Sequence, residues 1–208
     1  MYKVKNIVLD FGHGGIDRNG NYTTEPNKMH DFKDGDIAYE GMLNRQIGGF
    51  LELYLNMLPN LNIITTVASN DARDLSLGYR TRVANKFKAS DTIFISIHCN
   101  ASISHNASGF EIFTSKGHTK SDILADNIFL SVEPLYNSVN ISMRKDATDG
   151  DFDKEADFHV LRKTKCPAVL IECGFFDNKK DFDKLKNPYF QAELACKIYD
   201  GIVEYIEQ

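Results

Sequence analysis

Apolar residues recur along this chain in two alternating rhythms, one continuous or of period two and one near 3.6. Val4 to Asp10 reads as a strand that stops at Gly12-His13-Gly14-Gly15. From Ile16 to about Tyr39 the pattern dissolves into a polar loop. It is long for a connection in a compact domain, and such loops are often functional. Leu43, Ile47, Phe50, Leu51, Tyr54, Leu55 and Leu58 then fall at helical spacing, and Pro59 ends the run. Leu61 to Ala68 predicts a strand, and Ser76 to Lys88 a helix with Ser76 as its cap. Asp91 to Asn100 is almost continuously apolar, as suits a central strand covered on both faces. Gly109 to Ser115 predicts a strand, Lys120 to Tyr136 a helix with Pro134 near its end, and Phe158 to Arg162 a short strand. Ala168 to Cys173 is the last strong strand, and two helices, about Lys179 to Lys186 and Pro188 to Glu207, close the chain.

This alternation predicts an α/β fold, a twisted, mostly parallel or mixed sheet with helices on both faces. Sites in such folds collect at the carboxyl ends of strands. No repeat, low-complexity segment or linker divides the chain, so a single domain is expected over residues 1–208.

Composition narrows the function. A length of 208 residues with 42% hydrophobic positions supports one sizeable core. A net charge of -5 argues against a basic surface for nucleic acid or anionic membrane. No apolar run is long enough to span a bilayer, and the apolar stretch after Met1 is too short for a signal peptide. With Met1 as the natural start, the expectation is a monomer made in the cytoplasm and held there until something releases it. Cys99, Cys166, Cys173 and Cys196 show no metal-type spacing and read as free, mostly buried thiols.

Four residues carry candidate chemistry. His13 follows the first strand between glycines that let the backbone approach a ligand, although a lone histidine there is commonly incidental. His98 ends the apolar strand, and alternation places Ser96, His98 and Asn100 on one face; it reads either as a metal ligand or as a satisfied core histidine. Glu172 ends the apolar run from Ala168, an expensive place for a carboxylate unless it is paired with an arginine or works at a site. Glu40 heads the first long helix, where the helix dipole alone would favour an acid. Two histidines and a carboxylate with an open fourth position form a catalytic zinc set, with Glu172 as the base beside it.

Segments along nearly the whole chain resemble one family, the zinc-dependent N-acetylmuramoyl-L-alanine amidases of the type 3 class, which include bacterial wall amidases and many phage endolysins. Ile7-Val8-Leu9-Asp10-Phe11-Gly12-His13-Gly14-Gly15 is similar to its first motif, with Phe11 where proline is usual. Glu40 with Asn44 resembles the second, Ser96-Ile97-His98-Cys99-Asn100-Ala101 the third, and Pro167 to Asn178 the last. Arg73-Asp74, Leu77, Arg80 and Ala84-Asn85 resemble the segment between the second and third motifs. The resemblance implies a sheet of about six strands, a Zn2+ bound by His13, Glu40 and His98, and Glu172 as the catalytic carboxylate. The implied substrate is the muramoyl-alanine bond of peptidoglycan. An endolysin released by phage lysis is the expected setting, and a host wall-remodelling amidase is the alternative. A zinc peptidase cutting within the stem peptide and a non-catalytic wall-binding module are the competing classes.

Asp10 and Asn100 are expected to orient the ligands or meet substrate, and Arg80 to pair with a carboxylate inside the fold. The loop from Ile16 to Tyr39 reads equally as a groove wall or a solvated segment. The acidic stretch from Asp146 to Asp157 lacks the glycine position and final glutamate of a calcium loop and reads as solvated. His30, His105, His118 and His159 have no motif support.

Overall fold

A computed structural model describes residues 2–146, 148 and 150–208. Its frame is a six-stranded sheet in the order β4-β1-β5-β8-β6-β7. The strands are β1 (Asn6–Phe11), β4 (Asn62–Thr65), β5 (Thr92–Asn100), β6 (Glu111–Thr114), β7 (Lys154–Glu155) and β8 (Ala168–Phe175). β4, β1, β5 and β8 run parallel; β6 lies antiparallel to β8, and β7 pairs parallel with β6. The sheet is therefore mixed but mostly parallel, as the alternation of patterns predicts.

Strand alternation sorts the core into two unequal layers. Ile7, Leu9, Ile93, Ile95, Ile97, Val169 and Ile171 share one buried cluster with the helices α1 (Glu40–Leu55), α3 (Lys120–Ser138) and α6 (Pro188–Glu207). Val8, Phe94, Ala168 and Leu170 point to the other face, under the short helices α2 (Leu77–Ala84) and α4 (His159–Lys163). These two short helices leave the carboxyl ends of the central strands open on that face. Asp10, Ser96, His98 and Glu172 continue the same alternation; Asp10 and Ser96 are fully buried, while His98 and Glu172 are half-buried at the open end.

The helix ends follow local chemistry. Ser76 caps α2, its hydroxyl accepting from Tyr79 N at 3.3 Å. Thr119 and Asp122 form a reciprocal capping box at α3. Pro134 lies in the last third of α3, where its missing N–H costs one late hydrogen bond. The helix α5 (Lys179–Leu185) links β8 to α6.

Three segments differ from the sequence expectation. Phe158 to Arg162, expected as a strand, is instead the N-cap residue Phe158 followed by the helix α4 from His159; five residues are too few for either period to show. The loop from Ile16 to Tyr39 holds a short hairpin, β2 (Met29–Asp31) against β3 (Ile37–Tyr39). Phe32 of this hairpin stacks on Phe182 of α5, with ring centroids 5.1 Å apart. The stretch from Asp146 to Asp157 contains β7 and the buried Asp153, and so is not wholly solvated; residues 147 and 149 lie outside the described residues. All four cysteines are free thiols, three of them buried.

Candidate metal centre and active site

His13 is delivered by a locked turn. Its φ of 64° is left-handed, a conformation that costs about 1–3 kcal/mol and persists only when surroundings enforce it. The enforcing groups are cationic and amide donors. Arg80 donates to Phe11 O at 2.7 Å, and Asn44 Nδ2 to Gly12 O at 3.1 Å. Gly14 N donates to Thr24 Oγ1 at 2.6 Å. Phe11 lies directly over Gly48 of α1, where a Cβ would meet its ring at 2.2 Å.

Glu40 is the first residue of α1, directly after β3, and its side chain is 1% exposed. Its Oε1 lies 3.2 Å from His13 Nε2 and 3.0 Å from His98 Nδ1. The two imidazole rings stand edge to face with centroids 5.0 Å apart. One donor atom from each of His13, Glu40 and His98 falls within a 4.8 Å group. Burial would push the Glu40 carboxyl up, but the two neighbouring imidazoles outweigh it and hold it well below the usual range. Burial lowers the His98 imidazole, favouring the neutral ring that a metal ligand requires.

Glu172 faces the same space from β8, in register beside His98. Burial first, and then the charge of Glu40, raise its carboxyl well above the ordinary value. Its buried Oε2 has no hydrogen-bond partner, and the same is true of His13 Nε2 and Glu40 Oε2. Buried polar atoms without hydrogen bonds on three neighbouring side chains are costly unless something satisfies them, and Glu40 Oε2 has only the Lys28 ammonium, 3.3 Å away, beside it. A divalent metal beside a water satisfies that need, and the donor set matches catalytic zinc. The adjoining cavity measures about 240 Å³ and is lined by His13, His98, Glu172, Lys28 and His159, among others. A larger groove of about 830 Å³ lies at Asn6, Pro59 and Asn62, the opposite end of β1, and holds no such group.

Asp10 and Asn100 make their hydrogen bonds away from the ligands. Asp10 is fully buried and accepts from Arg80 at 2.8 Å, Ser96 at 2.7 Å and Thr66 at 2.5 Å. Burial would raise its carboxyl, but Arg80 and the two hydroxyls hold it below the ordinary value. Arg80 thus pairs with a carboxylate inside the fold, as expected, and grips the backbone on which His13 sits. Asn100 donates to Glu111 at 2.8 Å, and Glu111 is held in turn by Arg144 and Lys154.

Sequence reasoning missed Lys28. Its ammonium lies 3.3 Å from Glu40 Oε2 and lines the cavity. No motif marks it, because it reaches Glu40 through the hairpin rather than through sequence proximity. His159 also lines the cavity, from the start of α4.

An open α/β sheet that gathers two imidazoles, the buried Glu40 and the half-buried Glu172 at its carboxyl edge is a layout suited to hydrolysis assisted by a metal. Residues 7–204 match the sequence model of the N-acetylmuramoyl-L-alanine amidase family, and the chain belongs to that family. It is 32% identical over 98% of its length to an uncharacterised cell wall amidase of Bacillus anthracis, of which it spans 36%. It is 31% identical over 94% of its length to the N-acetylmuramoyl-L-alanine amidase CwlM of Bacillus licheniformis, of which it spans 66%. The crystal structure of N-acetylmuramoyl-L-alanine amidase from Clostridium difficile 630 superposes with a TM-score of 0.79. That pair is 27% identical, covering 99% of this chain and 98% of the other. Among the described residues no helix is long and apolar enough to cross a membrane.

Proposed function

We propose that this chain hydrolyses the amide between N-acetylmuramic acid and L-alanine in peptidoglycan, with zinc held by His13, Glu40 and His98 and with Glu172 as the proton-transfer group. The observation that carries the proposal is the gathering of these donors, with buried atoms that lack hydrogen bonds, in a chain of this family. Residues 1–208 act in this reading as one catalytic domain.

Bound there, zinc supplies Lewis acidity, bringing water towards ionisation near pH ~7 and polarising a carbonyl. The protein does the rest. Arg80 and Asn44 fix the backbone on which His13 is presented. Gly12 lets the His98 ring lie flush against that backbone. Glu172, whose buried Oε2 has no competing hydrogen bond, takes a proton from the attacking water and returns it to the leaving alanine nitrogen.

Zinc content and turnover test the reading together. Removal of zinc by a chelator abolishes wall hydrolysis and re-addition restores it; full activity in metal-free protein would refute the zinc role. The lytic, endolysin setting is tested separately by cytoplasmic expression together with a membrane pore. Rapid lysis supports it, and intact cells assign the chain to wall remodelling.

A further inference from the structure

A second group of metal-type donors gathers at the sheet edge, where β6 ends and α3 begins. One ligand atom from each of His118, Asp122 and Asp151 lies within 4.8 Å of the others. Asp126 follows Asp122 by one helical turn, and its Oδ1 accepts from Phe152 N at 3.0 Å, so α3 turns this acidic face to the 150–153 segment. Asp153 supplies the independent observation. It is 2% exposed, and its Oδ2 accepts from Thr114 Oγ1 at 2.7 Å, while its buried Oδ1 has no hydrogen-bond partner. Asp151, Asp122 and Asp126 are its acidic neighbours. The adjacent Lys154 is turned to Glu111 at 2.6 Å.

Like charges brought together around a buried, unsatisfied oxygen are unfavourable unless a cation joins them. Thr114, which anchors Asp153, ends β6 at the opposite end of that strand from Glu111, the neighbour of Glu172. The group is therefore separate from the His13 centre. We propose that His118, Asp122, Asp151 and Asp153 bind a divalent metal cation that ties the 150–155 segment to the start of α3. A set dominated by carboxylate oxygens suits Ca2+ or Mn2+ rather than a thiophilic metal, and one imidazole is compatible with Mn2+.

Calorimetric titration of the zinc-loaded full chain with Ca2+ and with Mn2+ tests this. The expected result is one saturable site that survives in a His13→Ala variant and weakens about tenfold or more in Asp151→Asn, as loss of a charged ligand should. Asp122→Asn combined with Asp151→Asn removes it. No saturable binding of either ion up to ~10 mM, the weak end for protein calcium sites, would overturn the proposal. So would wild-type affinity in the double variant, or loss of binding in His13→Ala alone. As a second readout independent of folding in the variants, substoichiometric Mn2+ added to the zinc-loaded wild-type chain should broaden the His118 ring resonances. Broadening confined to His13 and His98 would contradict the site.

Discussion

The substitution Gly12→Ala isolates the packing that places His98. A Cβ at Gly12 would lie 2.2, 2.4 and 2.6 Å from Cε1, Nε2 and Nδ1 of the His98 ring. Ordinary contact begins near 3.4 Å, so the ring must retreat by just over 1 Å. Gly12 does not sit at positive φ, so the alanine backbone itself is unstrained and the effect is steric. His98 Nδ1 lies 3.0 Å from Glu40 Oε1, and its ring cannot move that far and keep its place in the ligand group. Misplacement of about 1 Å at a reacting centre costs about 100-fold in rate, close to 2.7 kcal/mol. The assay is kcat/KM on purified wall sacs at saturating zinc, with zinc affinity measured beside it. Gly15→Ala in the same loop is the control. Its Cβ would meet Met42 Sδ at 3.3 Å, near the end of a flexible chain, and should leave both quantities near wild type. Full activity and zinc affinity in Gly12→Ala, or equal damage in Gly15→Ala, would refute the reasoning.

Other perturbations separate the remaining roles. Glu172→Gln should lower kcat by about 10²–10⁴ while leaving zinc stoichiometry unchanged, measured by metal analysis beside turnover. His13→Ala should instead lose zinc as well as activity. Arg80→Met leaves the Asp10 charge buried and unpaired, and should cost about 3–5 kcal/mol in urea unfolding; adding Asp10→Asn should recover part of that loss. Because the folded Asp10 carboxyl lies below its unfolded value of about 3.9, its contribution is complete above that pH and fades as pH falls through the folded value. Asp10→Asn should therefore flatten the acid limb of stability below about pH 4, and an unchanged limb would rule this group out as its source.

The parts of the fold that were legible in the sequence are those whose burial is extreme. β5 and β8 are apolar at nearly every position because helices or neighbouring strands cover both faces, and their terminal His98 and Glu172 stand out against that background. Period-two alternation alone placed Ser96 and His98 on one face, and the sheet keeps them there. β7 has only two residues and the β2–β3 hairpin three per strand, too short for a period to emerge. α4 was misread for the same reason. Within the site, Lys28 was hidden because a 12-residue separation crosses the hairpin to reach Glu40. Asp10 looked like a ligand-orienting group from its position three residues before His13. It acts through Arg80 instead, a partner 70 positions away that no local pattern reveals.

The bond that is cut is the most direct test of the central claim. Purified wall sacs should be digested with the zinc-loaded protein, with and without a chelator, and the soluble products identified by mass spectrometry. The account predicts intact stem peptides with a free amino-terminal alanine, released only when zinc is present. Products cleaved within the stem peptide, or the same release after zinc removal, would contradict it.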